Sequence, residues 1–390
     1  MTPGRKEFPG NLWVSAPWRL GVKAMLIGID ASRAARAERT GTEAYSLHLI
    51  RALLSAAPRH RFRLYADRAL PQELAAPNAE PRVMPFARLW THVRLSAEML
   101  LRPPEVLLVP AHVVPLVHPR TVVTLHDLGY LYFPGAHPTL ARIYLDLSTR
   151  WSVRAAAHVI ADSQATRDDL VRHYGVPAAR ITVAYPGRDE SLRRVDDPSG
   201  IEATKQRYGI TGEYLLYIGT LQPRKNLVRL VAAFSAVHSL HSTLHLVLAG
   251  GKGWLYDDVF AEVKRLGLEG RVLFPGRVAD EDKAALMSGA MALVHPSLYE
   301  GFGFTVVEAM QCGTPVICSN TSSLPQVAGD AAWLVDPLDV DALAQAILRV
   351  VQDAALRQSL IERGYAQAQK FSWQTCGSRV LSVLESVMRS

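Results

Sequence analysis

The stretch His295-Pro-Ser-Leu-Tyr-Glu300-Gly-Phe-Gly-Phe-Thr-Val-Val-Glu308-Ala-Met-Gln-Cys-Gly-Thr-Pro315 decides the fold. An apolar strand over 291–294 runs into a Pro-Ser turn, then a glycine-flanked loop, then a helix carrying Glu308. Gly313 ends that helix, and Pro315 leads into a second strand, Val316-Ile317-Cys318. A strand-to-helix turn of this kind presents backbone N–H groups at the positive end of a helix dipole, which suits an anion. Glu300 on the loop and Glu308 in the helix are eight positions apart. That spacing puts them about 80° from a common helical face. Two acids so placed can hold hydroxyls on either side of a bound phosphate, a geometry that suits a nucleotide-sugar.

Working outward, strands and helices alternate along nearly the whole chain, the pattern of parallel sheets covered by helices on both faces. Strands are expected at 26–30, 62–65, 106–109, 121–125, 159–161 and 181–184, with helices at 42–56, 139–157 and 165–174 between them. Tyr185-Pro-Gly187 breaks the series, and a polar run to about 200 reads as a linker. The series restarts with strands at 214–218, 244–249, 272–274, 291–294, 316–318 and 333–335, with helices at 226–238, 257–266 and 280–288. The fold class is therefore α/β, with two Rossmann-like parallel-sheet domains facing a central cleft. The expected boundaries are an extension over 1–24, a first domain over 25–187, a linker over 188–200 and a second domain over 201–373. A closing helix over about 374–390 crosses back to the first domain.

The motif Pro-Ser-x-x-Glu-Gly-Phe-Gly with Glu-x7-Glu resembles the signature of the retaining family-four (group 1) glycosyltransferases of GT-B fold. The resemblance covers about residues 25–388 and is strongest in 214–226 and 291–318. It implies a retaining hexosyl transfer from a nucleotide-sugar, which is a substrate and not a cofactor, to a glycan or lipid-linked acceptor. Gly219-Thr-Leu-Gln-Pro-Arg224-Lys225-Asn226 looks like bacterial mannosyltransferases of polysaccharide assembly, which points to GDP-mannose.

Each residue carried over has its own chemistry. A glycine at a strand end, Gly219, lets a diphosphate approach the backbone, and Lys225 at the helix start neutralises it. Thr220 stands where many members have an arginine, which makes Arg224 the candidate substitute. Gly301, Phe302 and Gly303 are expected against the donor with Glu300, while Glu308 grips the ribose. Gly41, in the loop after the first strand, is expected to border the donor phosphate. His126, in Leu125-His126-Asp127, ends another strand and is expected near the donor sugar, with Asp127 orienting it or capping the loop. Ser163, in Ala161-Asp162-Ser163, reads as a site residue or a helix cap. The family reacts by a front-face route, so the catalytic set is His126, Arg224, Lys225 and Glu300, with charge stabilisation of the leaving diphosphate carrying the chemistry. No metal is implied: Asp280-Glu-Asp282 has an acid-x-acid spacing, but acids before a helix simply suit its dipole.

Composition sets the outer bounds. The 390 residues have room for two domains, and 49% hydrophobic with 20% charged is a globular balance. No apolar run reaches the roughly 18 residues of a membrane span. Residues 1–24 lack the apolar run of a signal peptide. Cys312, Cys318 and Cys376 have no metal-like spacing and read as buried thiols of a reducing compartment, so a cytoplasmic protein is expected, peripheral on the inner membrane face if it meets lipid. The net charge of +7 is uneven: residues 1–187 hold 23 Lys/Arg against 14 Asp/Glu, and 188–390 hold 20 against 22. A basic first half suits an anionic membrane surface, an acidic acceptor or scattered solvated arginines, and no nucleic-acid motif accompanies it. The segment 87–102, apolar with periodic arginines and Trp90, reads equally as an interfacial helix or as a core helix with a basic outer edge. The competing functions are a sugar-nucleotide epimerase or phosphorylase of similar fold, and a non-catalytic nucleotide-sugar-binding scaffold.

Overall fold

The computed structural model describes residues 24–37, 41–136 and 138–389. The extension expected over 1–24 lies outside them apart from Ala24, as does the part of the first loop at 38–40. The first sheet has strands β1 Leu26–Asp30, β2 Arg61–Ala66, β3 Ala79–Val83, β4 Val106–Val109, β5 Thr121–Leu125, β6 His158–Ala161 and β7 Ile181–Val183. They are ordered β3-β2-β1-β4-β5-β6-β7, all parallel, with Ile29 beside Leu64 and Leu108 beside Val122. The second sheet has β8 Tyr214–Ile218, β9 His245–Ala249, β10 Val272–Gly276, β11 Ala292–His295, β12 Val316–Ser319 and β13 Ala332–Val335, ordered β10-β9-β8-β11-β12-β13.

Both orders run outward from a central pair and reverse there, at β1/β4 and at β8/β11. Ligands of such sheets sit beyond the strand carboxyl ends at that reversal. The central strands of each sheet are buried on both faces, which is why β4, β8 and β9 are nearly continuous apolar runs. Side chains alternate across the pleat: Leu215 and Tyr217 pack in one cluster and Tyr214 and Leu216 in the other.

Three elements depart from the sequence reading. Strand β3, Ala-Glu-Pro-Arg-Val, was not expected, because Pro81 and two charges mask it; as an edge strand bonded only to β2 it tolerates the proline. The expected linker is shortened, because a helix starts at Pro198: Asp197 caps it by accepting from the Ser199 and Gly200 amides at 3.1 Å, and proline at the first position suits a helix. The segment 87–102 is not one α-helix but a π-helical turn, Thr91–Leu95, followed by a short helix, Ser96–Leu101.

The last helix, Trp373–Arg389, crosses back to the first domain. Trp373, Cys376, Val380, Leu384 and Val387 enter the core beneath β1, β2 and β4. Gly377 lies so close to Ala52 of helix Gly41–Ala56 that a Cβ would come within 2.9 Å of it. Among the described residues, no helix is long and apolar enough to cross a membrane.

Candidate functional site

Between the two sheets lies an open cleft of about 1910 Å³, lined from both domains. The carboxyl ends of β8 and β11, adjacent at the reversal point of the second sheet, supply its charged floor. After β8, the turn Pro223–Lys225 is held by Asn226, whose backbone is left-handed (φ 61°) and whose Nδ2 donates to Pro296 O (3.1 Å) and Pro337 O (2.6 Å). The Leu298 amide donates to Arg224 O at 2.8 Å, which ties this turn to the loop after β11.

Lys225 Nζ forms an ion pair with Glu300 Oε1, and His295 Nε2 lies 2.9 Å from the same oxygen. Burial works to raise the Glu300 carboxyl, but Lys225, His295 and Arg224 override it and hold it well below the usual carboxylate range. Burial also lowers the Lys225 ammonium, against the pull of Glu300, and lowers His295. The Glu300 amide donates to Ser322 Oγ at 2.9 Å, and Ser323 Oγ donates to the carbonyls of Glu300 and Phe302. The glutamate is thus pinned by its backbone as well as its charge.

Gly303, at φ 106°, opens helix Phe304–Gln311, whose first turn faces the cleft. The ring of Phe302 packs on Phe304 and Phe371, with centroids 5.1 and 5.3 Å apart, so its ring belongs to the core and its backbone is what faces the cleft. At Gly301 the domains touch: a Cβ there would overlap the His126 carbonyl oxygen and press on the Asp127 side chain. Gly219 lines the cleft over the Tyr217 hydroxyl. Gly41 faces Phe304 across it, with room for a Cβ at 3.7 Å. Glu308 is met by Lys283 Nζ at 3.5 Å; burial pushes its carboxyl up, and Lys283 opposes that rise.

From the first domain, His126 follows β5 and Asp162 follows β6. His126 Nδ1 is 2.5 Å from Asp162 Oδ2, and Nε2 donates to Pro110 O at 2.9 Å. The orienting acid is therefore Asp162, not Asp127. Asp127 Oδ1 instead accepts from the Gly129 amide at 2.9 Å, and its Oδ2 sits 3.6 Å from Arg224 Nη1 across the cleft. Burial disfavours charge on His126, yet Asp162 raises the imidazole above its ordinary value. Both ring nitrogens are occupied, so His126 offers a sugar hydroxyl a bond only by releasing Pro110. Ser163 is a cap: its Oγ accepts from the Thr166 amide at 3.1 Å at the start of helix Gln164–Tyr174.

The structure brings His126, Arg224, Lys225, Glu300, Glu308 and the four glycines Gly41, Gly219, Gly301 and Gly303 to one cleft. It also shows partners that the sequence analysis does not single out. Lys283 partners Glu308, His295 partners Glu300, and Tyr299 donates to Asp169 of the facing domain at 2.8 Å while accepting from the Leu128 amide at 3.3 Å. The Lys283–Glu308 and Tyr299–Asp169 contacts join parts of the chain far apart in sequence, whereas His295 and Glu300 lie five residues apart in one loop. In the acid-x-acid segment, Asp282 is taken up by Arg207 (2.5 Å) and Tyr208 (2.7 Å). Among the described residues no cluster of His, Cys, Asp and Glu has metal-site geometry.

Two family models match the chain: Glycosyl transferases group 1 over residues 201–367, and Glycosyltransferase Family 4 over residues 39–192. The O-antigen chain mannosyltransferase B of Escherichia coli is 37% identical over 266 residues, which are 67% of this chain and 69% of that protein. The serotype-specific mannosyltransferase WbdA of Escherichia coli is 29% identical over 275 residues, 68% of this chain and 33% of that longer protein. Among solved structures, a sucrose-phosphate synthase from Thermosynechococcus elongatus superposes with TM-score 0.72 at 21% identity, over 94% of this chain and 99% of that one. Anabaena HepE, solved in complex with UDP and glucose, gives TM-score 0.72 at 23% identity, over 93% and 100%. These structural matches carry the fold, the two-domain GT-B arrangement.

Proposed function

Because this chain belongs to the glycosyl transferases group 1 family of GT-B enzymes, we propose that it moves a mannosyl residue from GDP-mannose to a glycan or lipid-linked acceptor with retention of anomeric configuration. One observation carries the reading. The loops after β8 and β11 bring Arg224, Lys225 and Glu300 together at the reversal point of the second sheet, directly opposite His126 and Asp162 of the first. Mannose is favoured by the similarity to the Escherichia coli mannosyltransferases and by the run Gly219–Asn226.

In the proposed step the C1–O bond to the diphosphate breaks, and its electron pair goes to the leaving phosphate oxygen. The acceptor oxygen bonds C1 on the same face, and its proton passes to that phosphate oxygen. Lys225, Arg224 and the start of helix Phe304–Gln311 meet the charge that develops there, so no metal ion or cofactor enters the step. Glu300 reads the donor sugar and Glu308 the ribose. The location proposed for the enzyme is the cytoplasm, peripheral on the inner membrane face.

The test is a screen of GDP-, UDP- and ADP-sugars by thermal shift and by release of free nucleotide, with and without a chelator. Stabilisation and slow hydrolysis specific to GDP-mannose and indifferent to chelation are expected. A different preferred donor would overturn the donor assignment, and binding without turnover on any donor would favour a scaffold.

A further inference from the structure

We propose that one face of the first domain, built on helix Thr139–Ala155 and the adjoining segments 86–101 and 113–118, docks on an anionic lipid surface. The helix carries an apolar stripe on its outer face. Toward the domain it buries Ser148, Thr149, Ser152 and Val153, and outward it shows Leu140, Ile143, Tyr144, Leu147 and Trp151, from 82% exposed at Leu140 to 38% at Trp151. Those five positions fall on one helical stripe.

The inward hydroxyls are satisfied, so the orientation of the helix is specified by its packing. Thr149 Oγ1 lies 2.7 Å from His112 Nε2 and accepts from the Tyr130 hydroxyl at 2.8 Å, and Ser152 Oγ accepts from the Val114 amide at 3.1 Å. Neighbouring segments extend the apolar face. His92 Nε2 lies 2.9 Å from the Tyr144 hydroxyl, Trp151 Nε1 donates to Val114 O at 3.0 Å, and the Leu116 amide donates to Ser96 Oγ at 2.9 Å. Leu89, Val93, Leu100, Leu101 and Leu116 are exposed there too. A contiguous patch of this size marks an interaction surface.

Charge identifies the occupant. Arg88, Arg102 and Arg154 are exposed on these same elements. The acids of the face are already engaged: Asp146 with Arg150, and buried Glu98 with Arg82 and Arg94. Two copies of this chain meeting on the face would bring two sets of exposed arginines together, with Asp146 and Glu98 already paired within each copy. An anionic lipid surface matches both the arginines and the Tyr and Trp at the apolar edge. This deepens the peripheral location proposed above, and its test is independent of donor chemistry.

The full chain is sedimented with phosphatidylcholine vesicles with and without phosphatidylglycerol, at low and high salt. Binding to the anionic vesicles alone is expected, weakened roughly tenfold or more by salt and likewise by L140E/L147E. That variant should keep the wild-type circular dichroism and GDP-mannose thermal shift. Wild-type protein that fails to bind anionic vesicles would overturn the proposal. So would a dimer, seen by analytical ultracentrifugation, that the variant dissociates without any vesicle binding. Vesicle binding kept by L140E/L147E but lost on deleting residues 1–23 would assign the membrane to that segment instead.

Discussion

Removing the Lys225 ammonium strips Glu300 of its main counter-charge and, on the proposed reading, deprives the donor diphosphate of a cation. Lys225→Met is expected to lower kcat by about 10²–10³-fold, the scale of losing one preorganised charge partner, and to abolish the thermal shift by donor. It should also lower stability by about 3–5 kcal/mol, because a buried carboxylate is left unpaired. Pairing it with Glu300→Gln should recover most of the stability and none of the activity, as a denaturation series beside a kinetic assay would read. If the single variant keeps wild-type stability, the pair is not the buried contact described above.

His126 gives a pH-dependent signature at the same scale. Asp162 holds it above its ordinary value despite burial, so the charge contributes stability that is complete below about pH 6.5 and fades as the pH climbs through the raised native value. The stability gap between wild type and Asp162→Asn should therefore be wider near pH 6 than near pH 9 in denaturant titrations. An equal gap at both would mean that the pair carries no separated charge.

At the scale of the element, two loops decide whether the site exists. Asn226 holds the Lys225 turn against the loops after β11 and β13 through two carbonyls, in a left-handed conformation that asparagine tolerates. Asn226→Asp keeps the conformation but turns a carboxylate toward two carbonyl oxygens, at a cost of at least about 1–3 kcal/mol and most of the donor affinity. Gly301→Ala should leave each domain folded but prevent their contact at His126, cutting kcat/KM and widening the molecule in small-angle scattering. Unchanged scattering and kinetics would show that the contact is not needed.

The core strands were legible because parallel strands buried on both faces are continuous apolar runs. Leu26–Asp30 and Tyr214–Ile218 match their expected ranges. Strand β3 was not, since a proline and two charges hide an edge strand. The site was half legible. Gly219, Lys225, Glu300 and Glu308 lie within short motifs, whereas the Asp162–His126 and Lys283–Glu308 pairs join residues brought together only by the sheet order and the packing of helices. A local motif cannot carry such a pairing.

At the scale of the molecule, the chain passes between the sheets twice, once after β7 and once before the final helix. The two passages lie against each other: the Arg188 amide donates to Phe371 O at 3.2 Å, and a Cβ on Gly187 would strike the Trp373 backbone. Ending the chain at 372 would uncover the core beneath β1, β2 and β4 at the positions of Trp373, Val380 and Leu384, worth about 1.5–3 kcal/mol each. The truncated protein should aggregate or be cut by protease first within the first domain; resistance equal to wild type would show that the helix is dispensable.

The twin passage also limits how the halves can move. A single tether would let one half roll, slide and twist upon the other like a ball in a socket. Two tethers bonded side by side behave as a door on one pin: the halves swing about a fixed line, and the far lip travels most. Tyr299, clasping Asp169 and the Leu128 amide from the opposite half, is then the latch of that door rather than its hinge.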